Sequence, residues 1–312
     1  MPEESYVWLK NHDILSFDEI SALVDRFIAL GVDAVRLTGG EPLVRPELPQ
    51  LIKRLAAKPL RDLSLTTNGV LLAEQALSLK EAGLHRVTVS LDTLSPTRFA
   101  ALTRRNTHGA VLTGLAEAHR VGFPRRMKID TVVTRGVNDG ELFELLELAA
   151  SVDAELRFIE YMDVGGATRW SMAQVVSRAE ILTTLSRYFG EIEPVVEESS
   201  APAQRFRLRD GRTFGIIAST TQPFCSRCDR ARLTADGQYF GCLYATSGLD
   251  LKGPLRAKAS EAELQSLIAQ SWARRSDRGA EDRLALRGDR GPLLSANELR
   301  GVPHLEMHTR GG

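Results

Sequence analysis

The chain begins as a succession of amphipathic stretches, several closed by a glycine and followed by a short apolar run. Ser16-Phe17-Asp18-Glu19 has the capping-box spacing that starts a helix, and helical periodicity continues through Leu30. Gly31 can stop that helix, and Asp33-Ala34-Val35-Arg36-Leu37 then reads as a strand. The same order recurs at Gly83, before residues 85–90, and at Gly122, before residues 127–133. Residues 63–67 and 156–160 read as further strands of the set. Strands separated by helical stretches predict βα units and a parallel sheet, open or curved into a barrel.

Polar and glycine-rich residues follow these strands: Thr38-Gly39-Gly40-Glu41-Pro42, Thr67-Asn68-Gly69, Ser90-Leu91-Asp92 and Tyr161-Met162-Asp163. Loops at the carboxyl ends of parallel strands converge on one face, where such folds carry their sites. The paired glycines let a ligand approach the backbone, and Glu41 offers a fixed acceptor for an amine. Each motif also has a plainer reading, as an ordinary turn, a helix cap or, for Met162, a flexible core filler. After about residue 190 the rhythm changes. Residues 205–218 read as a hairpin around Asp210-Gly211, and 232–243 as another around Asp236-Gly237. Residues 273–300, rich in arginine, aspartate and glycine, read as a surface-hugging or mobile connection. The expected division is 1–190 and 191–312.

Composition removes several function classes. Lysines plus arginines and aspartates plus glutamates number 40 each, so no global field favours nucleic acid or an anionic membrane. No run approaches the ~20 apolar residues of a membrane span, and the first residues lack the basic and apolar regions of a secretion signal. Only three cysteines occur, Cys225, Cys228 and Cys242, spaced Cys-x2-Cys-x13-Cys. Unpaired thiols agree with a reducing cytoplasm. Their clustering suggests a ligand set: an iron–sulfur cluster with one open iron, or zinc with a distant fourth ligand. Buried free thiols are the plain alternative, and a disulfide between cysteines three apart is strained.

Leu37-Thr38-Gly39-Gly40-Glu41-Pro42-Leu43, Thr66-Thr67-Asn68-Gly69, Ser90-Leu91-Asp92 and Phe158-Ile159-Glu160-Tyr161-Met162-Asp163 resemble, in order, the S-adenosylmethionine stations of radical SAM enzymes. More narrowly, the chain resembles the GTP 3′,8-cyclases of molybdenum-cofactor biosynthesis. The run Phe224-Cys225-Ser226-Arg227-Cys228-Asp229-Arg230-Ala231-Arg232-Leu233-Thr234 is similar to that family's auxiliary-cluster site, and Gly311-Gly312 to its tail. Met1-Pro2-Glu3-Glu4 is similar to the run just after its first cluster.

The resemblance implies an incomplete TIM-like (β/α) radical SAM barrel with a C-terminal, β-containing auxiliary-cluster region. Gly40, Glu41, Ser90 and Met162 would bind S-adenosylmethionine, and Arg36, Thr67, Lys128, Arg230 and Arg232 would face GTP. Cys225, Cys228 and Cys242 would hold a [4Fe-4S] cluster, and the Gly311-Gly312 tail would enter the active site. Ala34 stands where members often carry a basic residue, so one phosphate contact is absent or replaced. The family's Cys-x3-Cys-x2-Cys, which holds the cluster that cleaves S-adenosylmethionine, would precede Met1 together with the first strand. A second [4Fe-4S] cluster is therefore expected only with those cysteines restored, and an unpaired sheet edge without that strand. The implied product is (8S)-3′,8-cyclo-7,8-dihydroguanosine 5′-triphosphate, passed to a cyclic pyranopterin monophosphate synthase, with an external electron donor and with homodimerisation left open. Rival readings are a non-catalytic GTP- and iron–sulfur-binding paralogue, a peptide maturase and a zinc-binding barrel lyase.

Overall fold

The structure, a computed structural model, describes residues 9–164, 169–197, 200–286, 290–295, 298, 299, 306 and 309. Its strands are β1 (Ala34–Leu37), β2 (Asp62–Thr67), β3 (Arg86–Ser90), β4 (Lys128–Val133), β5 (Glu155–Glu160), β6 (Ile192–Pro194), β7 (Gln204–Leu208), β8 (Thr213–Ile217), β9 (Arg232–Leu233), β10 (Gln238–Phe240) and β11 (Leu249–Asp250). The helices are α1 (Phe17–Ala29), α2 (Leu48–Ala56), α3 (Leu72–Glu81), α4 (Pro96–Thr103), α5 (His108–Val121), α6 (Leu142–Ser151), α7 (Arg178–Phe189), α8 (Lys252–Arg256), α9 (Glu261–Ala273) and α10 (Gly279–Ala285).

Local chemistry explains the joins. The Ser16 hydroxyl accepts from the Glu19 amide at 3.1 Å, and the Glu19 carboxylate accepts from the Ser16 amide at 2.7 Å, which starts α1. Gly31, at φ +95°, donates to the Ile28 carbonyl while Val32 donates to that of Phe27. That is a Schellman turn, which needs a residue without a Cβ at its left-handed position. Gly83 closes α3 the same way, with Leu84 donating to Leu79.

Strands β1 to β5 pair in order and in parallel, and β8 lies parallel to β5. β7 and β6 then complete an eight-stranded sheet in antiparallel pairing. β1 and β6 are its edges, so the sheet is not closed among the described residues. Successive side chains alternate across it. Leu63, Leu65, Val87, Val89, Ile129 and Phe158 are wholly buried on the helix-covered side. Ser64, Thr66, Thr88, Lys128, Asp130 and Arg157 occupy the other, inner side.

The rhythm change near residue 190 is a change of strand direction rather than a break, because β6 to β8 extend the same sheet. A separate three-stranded sheet forms only from β9 to β11. It docks on the far side of α1, where Leu15, Leu23, Tyr239, Leu251 and Ile268 make a second apolar cluster. The stretch after residue 273 differs from a loose connection: it contains α10, and Arg290 within it is buried. Residues 1–8 and the Gly311-Gly312 tail lie outside the described residues.

Candidate functional site

The loop after β1 carries Gly39, at φ +139°, then Gly40, which is exposed. Glu41 caps the short turn Pro42–Val44 and accepts from the Leu43 amide at 3.0 Å. Its carboxylate also accepts from the Thr67 hydroxyl and the Asn68 amide, both at 2.7 Å. Glu41 is thus a fixed tie between the loops after β1 and β2, with Oε1 accepting from Leu43 and Thr67 and Oε2 from Asn68. Thr67 lies on the helix side at the end of β2, where its hydroxyl donates to Glu41 at 2.7 Å and accepts from the Gly69 amide at 3.0 Å.

Gly69 shows why this turn needs a glycine. Its φ is +80°, and a Cβ there would lie 2.9 Å from Val89 Cγ1. A Gly69→Ala variant is expected to lose about 2–3 kcal/mol, from a left-handed alanine and a clash against the core. A denaturation midpoint indistinguishable from the parent's would contradict this.

Ser90 ends β3 with its side chain exposed, and Met162 lies half-buried just past β5. Gly40, Ser90 and Met162 therefore stand on one rim, at the carboxyl ends of three parallel strands. Beneath that rim the inner face is charged. Register places Thr66, Thr88, Lys128 and Glu155 in one row, and Ser90, Asp130, Arg157 and Gly215 in another. Gly215 makes room for Arg157, since a Cβ there would lie 3.3 Å from Arg157 Cγ.

Arg36 and Lys128, both expected from sequence, meet here, joined by Arg86 and Arg157 and by Asp62, Asp130 and Glu155. Lys128 stands 3.6 Å from Glu155, which also pairs with Arg157 at 3.4 Å and Arg205 at 3.0 Å. Burial, then repulsion from Arg157 and Arg86, lowers the Lys128 pKa to about 8. Burial likewise depresses Arg36, against the attraction of Asp130, although solvent reaches Arg36 at the open edge. Asp130 is pushed up by burial against the pull of Arg157, Arg36 and Lys128, and its Oδ1 is buried with no hydrogen-bond partner. Sequence reasoning placed Arg157 on a strand but not in a site.

Cys225 opens a 3₁₀ turn, Cys225–Arg227, and the Cys228 amide donates to the Cys225 carbonyl at 3.1 Å. Arg230 donates to Cys228 Sγ at 3.2 Å and lies 4.9 Å from the centre of the Phe224 ring. The Arg230 guanidinium is thus turned to the Cys228 thiol. Burial works to raise the Cys228 pKa, but the Arg230 amide and guanidinium overcome it and the thiol is lowered. Arg232 opens β9 opposite Phe240, and continuing that register sets Cys242 opposite Arg230. The Tyr244 amide donates to Cys242 Sγ at 3.4 Å.

All three cysteines are half-buried free thiols. Among the described residues no three His, Cys, Asp or Glu side chains converge closely enough for a single metal ion. Zinc draws its sulfurs to about 2.3 Å, whereas a cubane gives each thiolate its own iron. Soft thiols without a fourth ligand, one favoured as thiolate by a guanidinium, fit an iron–sulfur cluster with one open iron.

Two acids hold this region to the sheet. Glu160, fully buried, accepts from the amides of Arg178 at 2.9 Å, Thr220 at 3.0 Å and Thr221 at 2.7 Å, and from the Thr221 hydroxyl at 2.6 Å. It thereby anchors the loop that leads to Cys225. Asp163 accepts two bonds from Arg290 at 2.9 Å, one from Arg283 at 2.7 Å and one from the Tyr244 hydroxyl at 3.1 Å. Burial and the Asp163 charge push the Tyr244 pKa up. Both acids fall in a run singled out from sequence, but nothing local distinguishes anchors from ligands.

Residues 5–149 match the Radical SAM superfamily and residues 154–281 match Molybdenum Cofactor Synthesis C. GTP 3′,8-cyclase 1 of Mycobacterium tuberculosis is 55% identical over 317 residues, covering 100% of this chain and 88% of that protein. GTP 3′,8-cyclase of Acidothermus cellulolyticus is 45% identical over 320 residues, covering 99% and 88%. Among solved structures, Streptococcus suis SuiB bound to S-adenosylmethionine superposes with a TM-score of 0.59 at 12% identity, over 90% of this chain and 69% of that one, which is a likeness of fold. No described helix is long and apolar enough to cross a membrane. With full-length identity above half to one member and both family regions matched in order, the chain belongs to the GTP 3′,8-cyclase family of radical SAM proteins.

Proposed function

We propose that this chain binds GTP across its charged inner face for conversion to (8S)-3′,8-cyclo-7,8-dihydroguanosine 5′-triphosphate in molybdenum-cofactor biosynthesis. The observation that carries this reading is the Arg36, Lys128 and Arg157 group beneath the Gly40–Ser90–Met162 rim, in a chain matched end to end by a GTP 3′,8-cyclase. Guanidinium and ammonium groups suit triphosphate oxygens, and fixing the triphosphate orients the ribose toward the rim. Glu155 pairs with Lys128 and Arg157 before the nucleotide arrives. Gly40, Ser90 and Met162 would hold S-adenosylmethionine, which together with a reduced cluster would supply the radical chemistry at the ribose. Cys225, Cys228 and Cys242 would hold the auxiliary cluster, with Arg232 nearby.

A second reading rests on the cysteine count. The only three cysteines among these 312 residues belong to that auxiliary site, leaving no Cys-x3-Cys-x2-Cys for an initiating cluster. The 312 residues by themselves would then bind GTP and one cluster without turnover. The implied partners in the complete reaction are an electron donor and the synthase that consumes the product. Reconstituted anaerobically with iron and sulfide, these 312 residues are expected to take up one [4Fe-4S] cluster, bind GTP, and give no 5′-deoxyadenosine with reductant. Release of 5′-deoxyadenosine would refute the inactive form. Bound zinc without sulfide would refute the cluster.

A further inference from the structure

The stretch after α9 reads from composition as a solvated connection, yet it reaches both cysteine loops. We propose that Arg275 is a positioning residue for the cysteine site, holding the Cys225–Cys228 turn and the Gly241–Cys242 turn in one geometry; this rests on the reading that the three cysteines hold an iron–sulfur cluster. Arg275 Nη1 donates to the Cys228 carbonyl at 2.7 Å. Its stem lies over the second turn: a Cβ built on Gly241 would stand 3.4 Å from Arg275 Cδ and 3.6 Å from Cγ. One side chain therefore bonds to the first turn and lies alongside the second.

Its own base is fixed. The Arg275 amide donates to the Trp272 carbonyl at 3.0 Å, and its guanidinium sits 4.7 Å from the centre of the Trp272 ring. Two residues past Cys242, a Cβ on Gly279 would fall 2.3 Å from Tyr244 Cβ, so the start of α10 presses on the same loop. The β9–β10 ladder is short, with Phe240–Arg232 its last pair before Cys242. Beyond it the two turns need another tether, and Arg275 supplies one. Outer groups that hold ligands in place also set cluster occupancy and potential, and a nearby cation favours the more reduced, more negative cluster.

Two measurements test this, one without any cluster. In a Cys225→Ser background Cys228 and Cys242 are the only thiols, and dibromobimane can link them only when both turns are held close. Adding Arg275→Met is expected to lower the linked fraction several-fold. Arg275→Lys should restore part of it, and Arg274→Met at the neighbouring exposed position should leave it at the parent level. A linked fraction unchanged by Arg275→Met, equal losses in Arg275→Met and Arg274→Met, or a parent that does not link, each overturns the proposal. In the three-cysteine protein after reconstitution, Arg275→Met is expected to hold less iron and sulfide, with altered EPR g-values and a more negative midpoint potential. Parent-like occupancy, spectrum and potential would overturn the proposal there. A parent that takes up no iron and sulfide overturns the cluster reading instead, and the linking experiment still decides for or against Arg275.

Discussion

Replacing Asp163 by alanine is expected to cost about 3–5 kcal/mol of stability, the range for removing one partner of a buried ion pair. Asp163 has no solvent exposure on its side chain, and Arg290 retains only 2%. Arg290 is further fixed by a bond to the Thr220 carbonyl at 3.0 Å and by the Trp170 ring, 5.0 Å away. Without the carboxylate, two guanidinium groups and the Tyr244 hydroxyl lose their acceptor inside protein. Segments around residues 163, 220, 244 and 290 would lose their common anchor. Asp163→Asn, which keeps an acceptor and loses the charge, should fall between the two. Burial alone would raise the Asp163 pKa, but bonds from Arg290 and Arg283 bring it below the usual carboxylate value. Its contribution is therefore complete above the unfolded value of about 3.9 and is lost as pH falls through the lower folded value. Urea midpoints for parent and variants at neutral pH and at progressively lower pH check both statements. A midpoint for Asp163→Ala corresponding to less than about 1 kcal/mol would count against the anchor.

Replacing Lys128 by methionine is expected to weaken GTP binding by about 10- to 100-fold, the scale of one charge-assisted hydrogen bond. The larger signature is in pH. In the free protein Lys128 gives up its proton near 8, and a bound triphosphate holds that proton on. Affinity of the parent should thus be level below pH 8 and decline as pH rises above it, with proton uptake on binding; the methionine variant should lose this decline. Stability moves the other way. An unfolded lysine keeps its proton to about pH 10.4, so between 8 and that value the unfolded chain binds more protons and the parent gains stability with pH. Lys128→Met removes a group whose charge is penalised in the fold, while Glu155 keeps Arg157 and Arg205. The variant should therefore fold as well as the parent at neutral pH. Calorimetric titrations of GTP at pH 7, 8 and 9 in buffers of different ionisation enthalpy measure the affinity and the proton together. A flat pH profile in the parent would remove Lys128 from the nucleotide site.

Strands and helix ends were legible because their causes are local. The Ser16–Glu19 box, the Gly31 and Gly83 stops and the apolar runs each act within a few residues, and the observed elements match them to within about two residues. Face assignments were less legible. Alternation says that Arg86, Asp130 and Arg157 share a side with Lys128 only after parallel register joins strands distant in sequence. The carboxylate that binds the Thr67 hydroxyl lies 26 positions earlier, beyond the reach of any local motif. The charged segment after residue 273 looked solvated because its partner, Asp163, is 120 positions from Arg283. Composition cannot show a charge neutralised that far along the chain. Cys225, Cys228 and Cys242 were legible as a set from spacing, whereas the turn of Arg230 toward Cys228 depends on a side-chain rotamer.

Glu41 makes the loops after β1 and β2 a single mechanical body. Because one carboxylate is shared by Leu43, Thr67 and Asn68, neither loop can open without breaking the other's bonds. Their freedom is surrendered when the sheet folds, so a ligand arriving at Gly40 has little left to order, and binding retains more of its contact energy. The same sharing makes the two loops one cooperative unit, in which a disturbance behind β2 displaces the glycine rim in front of β1.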